Sequence, residues 1–247
     1  MNDIDFLREH FGADKEGFEK ALERYENGEP AAYIIGHKFF YRDEFFVKEG
    51  VLIPRPDTEF VVEGAVKLLK SMDHAPIFAD LCCGSGCIGI TVAKEVLCAR
   101  GIMLDLSDVA LEVSRRNVSA LLDRDTVTVH KCNVLEGELP SGYEDKRFDM
   151  IISNPPYIPT DDISKYPDLA PEPMMALDGG SDGMVFYRAI IEKYSKNLAK
   201  DGYFVFEIGF DQGNLIKELA KKHGFDLEVR RDYGSNDRLA ILKKSKL

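Results

Sequence analysis

Ile77-Phe78-Ala79-Asp80-Leu81-Cys82-Cys83-Gly84-Ser85-Gly86-Cys87-Ile88-Gly89 runs from an apolar segment through a glycine-rich turn into a second apolar segment. Residues 77–81 read as a buried strand and residues 88–96 as a helix. The glycines between them allow a tight turn and a close approach of a ligand to the backbone, because glycine has no Cβ. Gly84, Gly86 and Gly89 have the spacing of a dinucleotide fingerprint, and Asp105 follows at the end of the next strand, so a mechanical reading gives NAD. Asp80 argues otherwise: a carboxylate at the mouth of the turn repels a pyrophosphate. S-adenosylmethionine has no phosphate and carries an ammonium and a sulfonium, which such a carboxylate attracts. Asp105 is then placed to accept hydrogen bonds from ribose hydroxyls, its alternative role as a helix cap being better served by Ser107-Asp108, while Asn133 and Val134 after the third strand border the adenine.

The strand–helix alternation continues along the chain. Strands are expected at 101–106, 127–131, 148–153, 203–208, 226–230 and 238–243, and helices at 109–122, 184–198 and 214–223. This is a βαβ series, hence an α/β fold with a mostly parallel sheet. In such sheets ligands bind outside the carboxyl ends of the strands.

Asn154-Pro155-Pro156-Tyr157 stands at one of those ends, directly after the apolar run 148–153. Two consecutive prolines donate no backbone hydrogen bond and hold φ nearly fixed, so the loop is stiff and its carbonyls are free. It suits the task of holding a planar –NH2 group: the Asn154 side-chain oxygen accepts one hydrogen, the Pro155 carbonyl the other, and Tyr157 supplies a flat wall. The bland alternative is that Asn-Pro merely turns the chain. Paired with a methyl donor at the glycine turn, the clamp gives an N-methylated amide or amine, made by alignment and electrostatic support.

Composition narrows the setting. The 247 residues, 45% of them hydrophobic, are enough for a substantial core. A formal charge of −11 argues against a long phosphate-tracking surface, so nucleic acid is not the expected partner; Arg115-Arg116, Lys221-Lys222 and Arg230-Arg231 are isolated pairs. No apolar stretch nears the roughly 20 residues that span a bilayer, and the polar, acidic beginning lacks a signal-peptide core, so a cytoplasmic enzyme is expected. The five cysteines do not form a disulfide framework for a chain of this size, and Cys82, Cys83 and Cys87 lack zinc-pair spacing, so no metal is expected.

The front of the chain reads as a short helical segment over 1–30, with helices at 4–10 and 15–25, then a β-hairpin linker over 31–56 and a catalytic domain over 57–247. The hairpin strands are expected at 39–41 and 45–47 around the turn 42–44, with Phe39, Phe40, Phe45 and Phe46 packing inward. Thr58 or Asp57 is placed to cap a helix running to about Leu69.

Taken together, Ile53-Pro54-Arg55-Pro56-Asp57-Thr58-Glu59, residues 80–86, residues 154–159, Glu172-Pro173, Ala176-Leu177-Asp178-Gly179-Gly180, Gly183, Phe186-Tyr187-Arg188 and Glu207-Ile208-Gly209 resemble the HemK/PrmC family. The resemblance covers roughly Pro30 to the end of the chain. It implies a Rossmann-like, seven-stranded class I S-adenosylmethionine-dependent methyltransferase sheet with its last strand antiparallel. It also implies transfer of a methyl group to the glutamine of the Gly-Gly-Gln loop in class 1 peptide chain release factors.

By the same resemblance Asn154, Pro155, Pro156 and Tyr157 bind and activate the glutamine. Cys82, Cys83, Gly84, Ser85, Gly86 and Asp105 hold the cofactor, and Arg55 to Glu59, Thr58 included, build the mouth of the site. Cys82 stands in place of a usual glycine, Asp57 of a glutamate, and Asn133-Val134 of an acid followed by a larger side chain. The helical front is shorter than is usual in the family. Three readings stay open beside this one: a ribosomal-protein glutamine methyltransferase, an N6-adenine nucleic-acid methyltransferase using the same clamp, and a catalytically silent, cofactor-binding partner subunit.

Overall fold

The structure, a computed structural model, describes residues 2–245. Its front consists of helices α1 (Asp3–Phe11), α2 (Lys15–Glu26) and α3 (Ala31–Ile35). Asn2 caps α1 by accepting from the Asp5 N–H at 2.8 Å, and Asp14 caps α2 by accepting from Gly17 at 3.0 Å. The third helix has too few residues for its period to show in the sequence; it follows Pro30 and closes on Gly36, whose φ is +85°. Leu7, Ala21, Ala31 and Ile34 form a small core between the three, with Phe18 and Tyr25 packed against it.

The hairpin that follows pairs β1 (His37–Phe40) with β2 (Asp43–Phe46), one to two residues earlier than the pattern predicts. Tyr41 and Arg42 make the turn, Tyr41 at φ +59°, a left-handed conformation held by its N–H donating to Glu59. Starting the turn at Tyr41 divides the four phenylalanines. Phe40 and Phe45 are buried edge to face, Phe39 is exposed, and Phe46 is half-buried beneath the Arg116 guanidinium, 3.5 Å from the ring centre.

Helix α4 (Pro56–Lys70) begins on a proline, so Arg55 occupies the cap position and no side chain caps the helix. The expected cap by Thr58 or Asp57 is therefore absent. Asp57 pairs with Arg238 instead, and Thr58 is committed elsewhere.

The remaining elements are β3 (Ile77–Leu81), α5 (Cys87–Glu95), β4 (Arg100–Asp105), α6 (Asp108–Leu121), β5 (Val127–Lys131), β6 (Phe148–Ser153), α7 (Val185–Tyr194), β7 (Leu198–Glu207), α8 (Gly213–Lys222), β8 (Phe225–Arg231) and β9 (Asp237–Lys244). The expected helix over 184–198 stops at Tyr194, and β7 starts at Leu198 instead of 203. Buried Asn197 explains the early stop: its Nδ2 donates to the carbonyls of Glu144 and Lys146 and draws the chain toward the sheet.

Seven strands lie in the order β5-β4-β3-β6-β7-β9-β8, all parallel except β9. Side chains alternate between two faces with the strand period of two. Phe78, Met103, Met150, Ile152 and Val205 pack under α4 and α5, whereas Leu81, Ile102, Ile151, Phe204 and Phe206 pack under α7 and α8. The chain leaves β3 toward β4 and β5, then returns to β6 on the other side of β3. That reversal is the switch point at which open α/β sheets leave a crevice. Among the described residues no helix is long and apolar enough to cross a membrane.

Phe40 and Phe45 seat the hairpin in the core of this body, and a buried side chain adds polar contacts. Buried Asn117 of α6 accepts from the Phe46 N–H at 2.8 Å and donates to the carbonyls of Phe46 and Ser85 at 3.0 and 2.9 Å. Close packing under the sheet is tightest at Gly101, where a Cβ would lie 2.3 Å from the nearest atom of the Phe78 ring. Gly101→Ala is expected to lower the unfolding free energy by about 1–3 kcal/mol through overpacking, read as a lower urea midpoint with unchanged slope. Equal midpoints would show that Phe78 relaxes freely.

Candidate active site

β3 and β6 pair in register, Leu81 opposite Ser153, and the Ser153 hydroxyl donates to the Leu81 carbonyl at 2.6 Å. The glycine turn and the Asn154 loop therefore leave the sheet side by side. Cys82, Gly84 and Gly86 all have positive φ, at 59°, 54° and 82°. For Gly84 and Gly86 this is unstrained; Cys82 holds a left-handed conformation that glycine adopts without penalty.

Asp105 closes the turn. Its Oδ2 accepts from the Gly84 N–H and its Oδ1 from the Ser107 N–H, both at 2.9 Å, while Ser107 caps α6 as expected. Burial raises the Asp105 pKa, and the backbone donors pull it back.

Beside the turn lies a cavity open to solvent. Val51 and Leu52 form one wall, Leu106, Ala110 and Val134 another, and Phe186 and Met175 a third; Cys82, Gly84, Asp105 and Asn154 also line it. An apolar slot with one acid at the end of the second parallel strand fits a nucleoside, and the absence of a Cβ at Gly84 leaves the backbone open to close approach. The donor set thus fits S-adenosylmethionine.

Several expected cofactor residues lie outside this cavity. Asp80 is fully buried beneath the turn, where its Oδ2 accepts from the Gly89 N–H at 2.9 Å and its Oδ1 has no hydrogen-bond partner among the described residues. It faces the start of α5, not the mouth of the turn, because its strand position points to the α4–α5 face. Gly89 permits the contact, since a Cβ there would lie 3.0 Å from the Asp80 carboxylate.

Cys83 points into the core, Ser85 and Gly86 shape the turn from below, and Ser85 offers its carbonyl to Asn117. Asn133 is spent on its own turn, accepting from Leu135 N–H at 3.1 Å and donating to Glu136 at 3.0 Å. Its neighbour Val134 does line the cavity.

A second cavity adjoins the first, lined by Leu52, Arg55, Asn154, Tyr157, Ile158, Leu169, Ala176, Leu177 and Glu207. Leu52, Asn154 and Ala176 belong to both walls. Asn154 donates from Nδ2 to the Thr58 hydroxyl at 3.3 Å, and its Oδ1 accepts from no described residue. The Pro155 carbonyl likewise carries no hydrogen bond among the described residues, although the Pro155 ring is buried; Pro156 lines the first cavity. Tyr157 lies along the second, its hydroxyl 3.5 Å from Glu207 Oε1.

Three polar residues to which the sequence reading gave no role hold this arrangement. Glu172, buried, accepts from the Ile53 N–H and pairs with Arg55, fixing the loop 160–176 onto the segment before α4. Glu207, 1% exposed at the end of β7, accepts from Thr58 at 2.6 Å. Gln212, also buried, donates to the carbonyls of Tyr157 and Gly183 and accepts from Gly209. A polar residue closing an apolar strand at the crevice, and another about one turn past it, are the signals that could have marked Glu207 and Gln212.

Comparison with known proteins agrees with this geometry. The model of the methyltransferase small domain matches residues 61–166. The release factor glutamine methyltransferase of Clostridium botulinum is 35% identical over 239 residues, 94% of this chain and 81% of that protein. The protein of the same name from Clostridium acetobutylicum is 37% identical over 220 residues, 86% of this chain and 74% of its own length. The chain belongs to the release factor glutamine methyltransferase family. Membership makes it an S-adenosylmethionine-dependent enzyme, as the resemblance in the sequence implied. The fold is matched by a methyltransferase from Pyrococcus furiosus at TM-score 0.58 and 18% identity, over 92% of this chain and 98% of that one.

The buried carboxyl beneath the turn gives a pH prediction. Burial pushes the Asp80 pKa from 3.8 to about 8. Between those values the folded protein holds a proton that the unfolded chain releases, so raising the pH favours unfolding by up to about 1.4 kcal/mol per unit. Asp80→Asn, neutral throughout, is expected to lose less stability than wild type between pH 5 and pH 8 in urea titrations. Parallel losses would mean that Asp80 is already ionised at pH 5.

Proposed function

We propose that the enzyme transfers the methyl group of S-adenosylmethionine to the side-chain amide nitrogen of a protein glutamine, the Gly-Gly-Gln glutamine of class 1 peptide chain release factors. The observation that carries this reading is the place of Asn154: its amide stands in the wall common to both cavities, nitrogen turned to Thr58 and oxygen free. A group held on that oxygen from the second cavity faces the contents of the first. The names of the relatives supply the substrate.

In this reading Asp105 receives the ribose hydroxyls, Gly84 and Cys82 approach the nucleoside through their backbone, and Val134 and Leu106 cover the base. Bound S-adenosylmethionine supplies a methyl group on positively charged sulfur, whose bonding electrons stay with sulfur when the methyl leaves. Asn154 Oδ1 and the Pro155 carbonyl accept the two hydrogens of the substrate amide and hold its nitrogen toward the first cavity. Both oxygens carry partial negative charge, which supports the nitrogen as it gives up conjugation and becomes positive. They keep hydrogen bonds to its protons until water takes one. Pro156 and Tyr157 wall the amide and restrict its plane, and Arg55 with Thr58 frames the second cavity.

Labelled methyl donor offered to a class 1 release factor tests the reading, with its Gln→Ala variant at the Gly-Gly-Gln loop, a ribosomal protein and duplex DNA in parallel. Label is expected on the intact release factor alone, at that glutamine by mass spectrometry. Label on DNA or on the Gln→Ala factor would overturn the substrate assignment. Asn154→Ala is expected to lower kcat by about 100- to 1,000-fold, the loss typical of one preorganised group at a reacting centre. Asp105→Ala is expected to weaken cofactor binding by about 10- to 100-fold, from loss of hydrogen bonds to a charged acceptor; calorimetry with the cofactor reads it directly.

A further inference from the structure

An amide side chain is nearly symmetric in shape, and Asn154 serves the proposed reaction only with its oxygen toward the substrate. Something must decide between its two orientations. Behind Asn154 the structure places a chain of two buried groups: Asn154 Nδ2 donates to Thr58 Oγ1 at 3.3 Å, and Thr58 Oγ1 donates to Glu207 Oε2 at 2.6 Å. Thr58 is 2% exposed and Glu207 1%. The two residues lie 149 positions apart, on α4 and at the end of β7, so the fold alone brings them together.

A hydroxyl has one proton. An ionised carboxylate only accepts, so it takes that proton and leaves the Thr58 oxygen able to offer Asn154 nothing but a lone pair. Against a lone pair the amide presents its –NH2, and its oxygen is turned to the cavities. We propose that Glu207, acting through Thr58, is the positioning residue that sets the orientation of the Asn154 amide; this rests on the methyl-transfer function proposed above.

The converse follows from the same proton count. A protonated Glu207 donates to Thr58, whose own proton is then free to point at Asn154. The amide can answer with its oxygen, leaving the –NH2 facing another –NH2, and donor against donor cannot hold the substrate. The relay therefore switches with the charge on Glu207.

The charged and titratable groups around that carboxyl are few. Asp57 approaches from α4, Cys87 from α5, Tyr157 from the loop after β6 and Arg238 from β9, Arg55 lines the same cavity, and the Tyr187 hydroxyl donates to the Glu207 main-chain carbonyl at 2.8 Å. Arg238 is itself divided between Asp57 at 3.1 Å and Asp232 at 3.2 Å. Burial outweighs these contacts and raises Glu207 to about 7, which puts the switch near neutral pH.

The experiment compares wild type, Thr58→Val, Thr58→Ser and Glu207→Gln in the full-length enzyme. Two readouts are taken: kcat on the release factor from pH 5.5 to 8.5, and side-chain amide spectra of ¹⁵N-asparagine-labelled protein over the same range. Thr58→Val is expected to lose at least tenfold in kcat with the cofactor dissociation constant within twofold of wild type, and Thr58→Ser to restore most of that loss. The wild-type kcat is expected to fall on an acid limb near pH 7 that Glu207→Gln lacks, and the Asn154 –NH2 resonances to follow that limb in wild type but not in Thr58→Val. A full-rate Thr58→Val enzyme, an acid limb unchanged in Glu207→Gln, or an Asn154 signal indifferent to pH in wild type would each overturn the proposal. The spectra need no methyl acceptor, so an enzyme that labels no release factor sinks the function while the relay is still judged by Asn154.

Discussion

The site depends on one register. Because Leu81 and Ser153 face each other across β3 and β6, with the Ser153 hydroxyl on the Leu81 carbonyl, two loops from distant parts of the chain begin level with one another. A slip of one residue would turn every side chain of β6 to the other face. The apolar residues on both faces forbid it, since Met150 and Ile152 are needed under α4 and α5 while Ile151 is needed under α7 and α8. Burial of a few aliphatic side chains thus sets the distance between the cofactor cavity and the amide clamp.

Much of this was legible in the sequence because it is local. Strand and helix periods placed the sheet, proline stiffness marked the 154–157 loop, and glycines marked the turn. What was not legible is where a polar side chain goes once the sheet has formed. Closeness to the turn suggests that Asp80 faces the ligand, but position along a strand fixes which face a residue occupies, and Asp80 shares that of Phe78. Asn133 was lost to its own turn, as short polar side chains often are. Thr58 read as a helix cap because its neighbourhood allowed one, while its partner Glu207 lay far along the chain.

The loop 160–183 shows how irregular chain is held over such a site without regular structure. It contains three short 3₁₀ turns and is fixed by a few buried polar contacts: Glu172 to Ile53 and Arg55, a two-residue bridge between Ile158 and Asp178, and Gln212 to the carbonyls of Tyr157 and Gly183. Gly179 and Gly183 lie where any Cβ would strike the backbone of Pro156 or Tyr157, so the glycines set how closely this cover can lie on the clamp. The buried carboxyls are costly alone, and each has found hydrogen-bond donors, which is how such groups persist in a core.

The Asn117 side chain has a different kind of consequence. One amide group satisfies both the edge of the hairpin at Phe46 and the carbonyl of Ser85 inside the glycine turn. Release of either segment strands a polar atom of that buried amide, so the same side chain resists both openings. A ligand that steadies the turn keeps Asn117 in place, and so adds to the exchange protection of hairpin amides that it never touches.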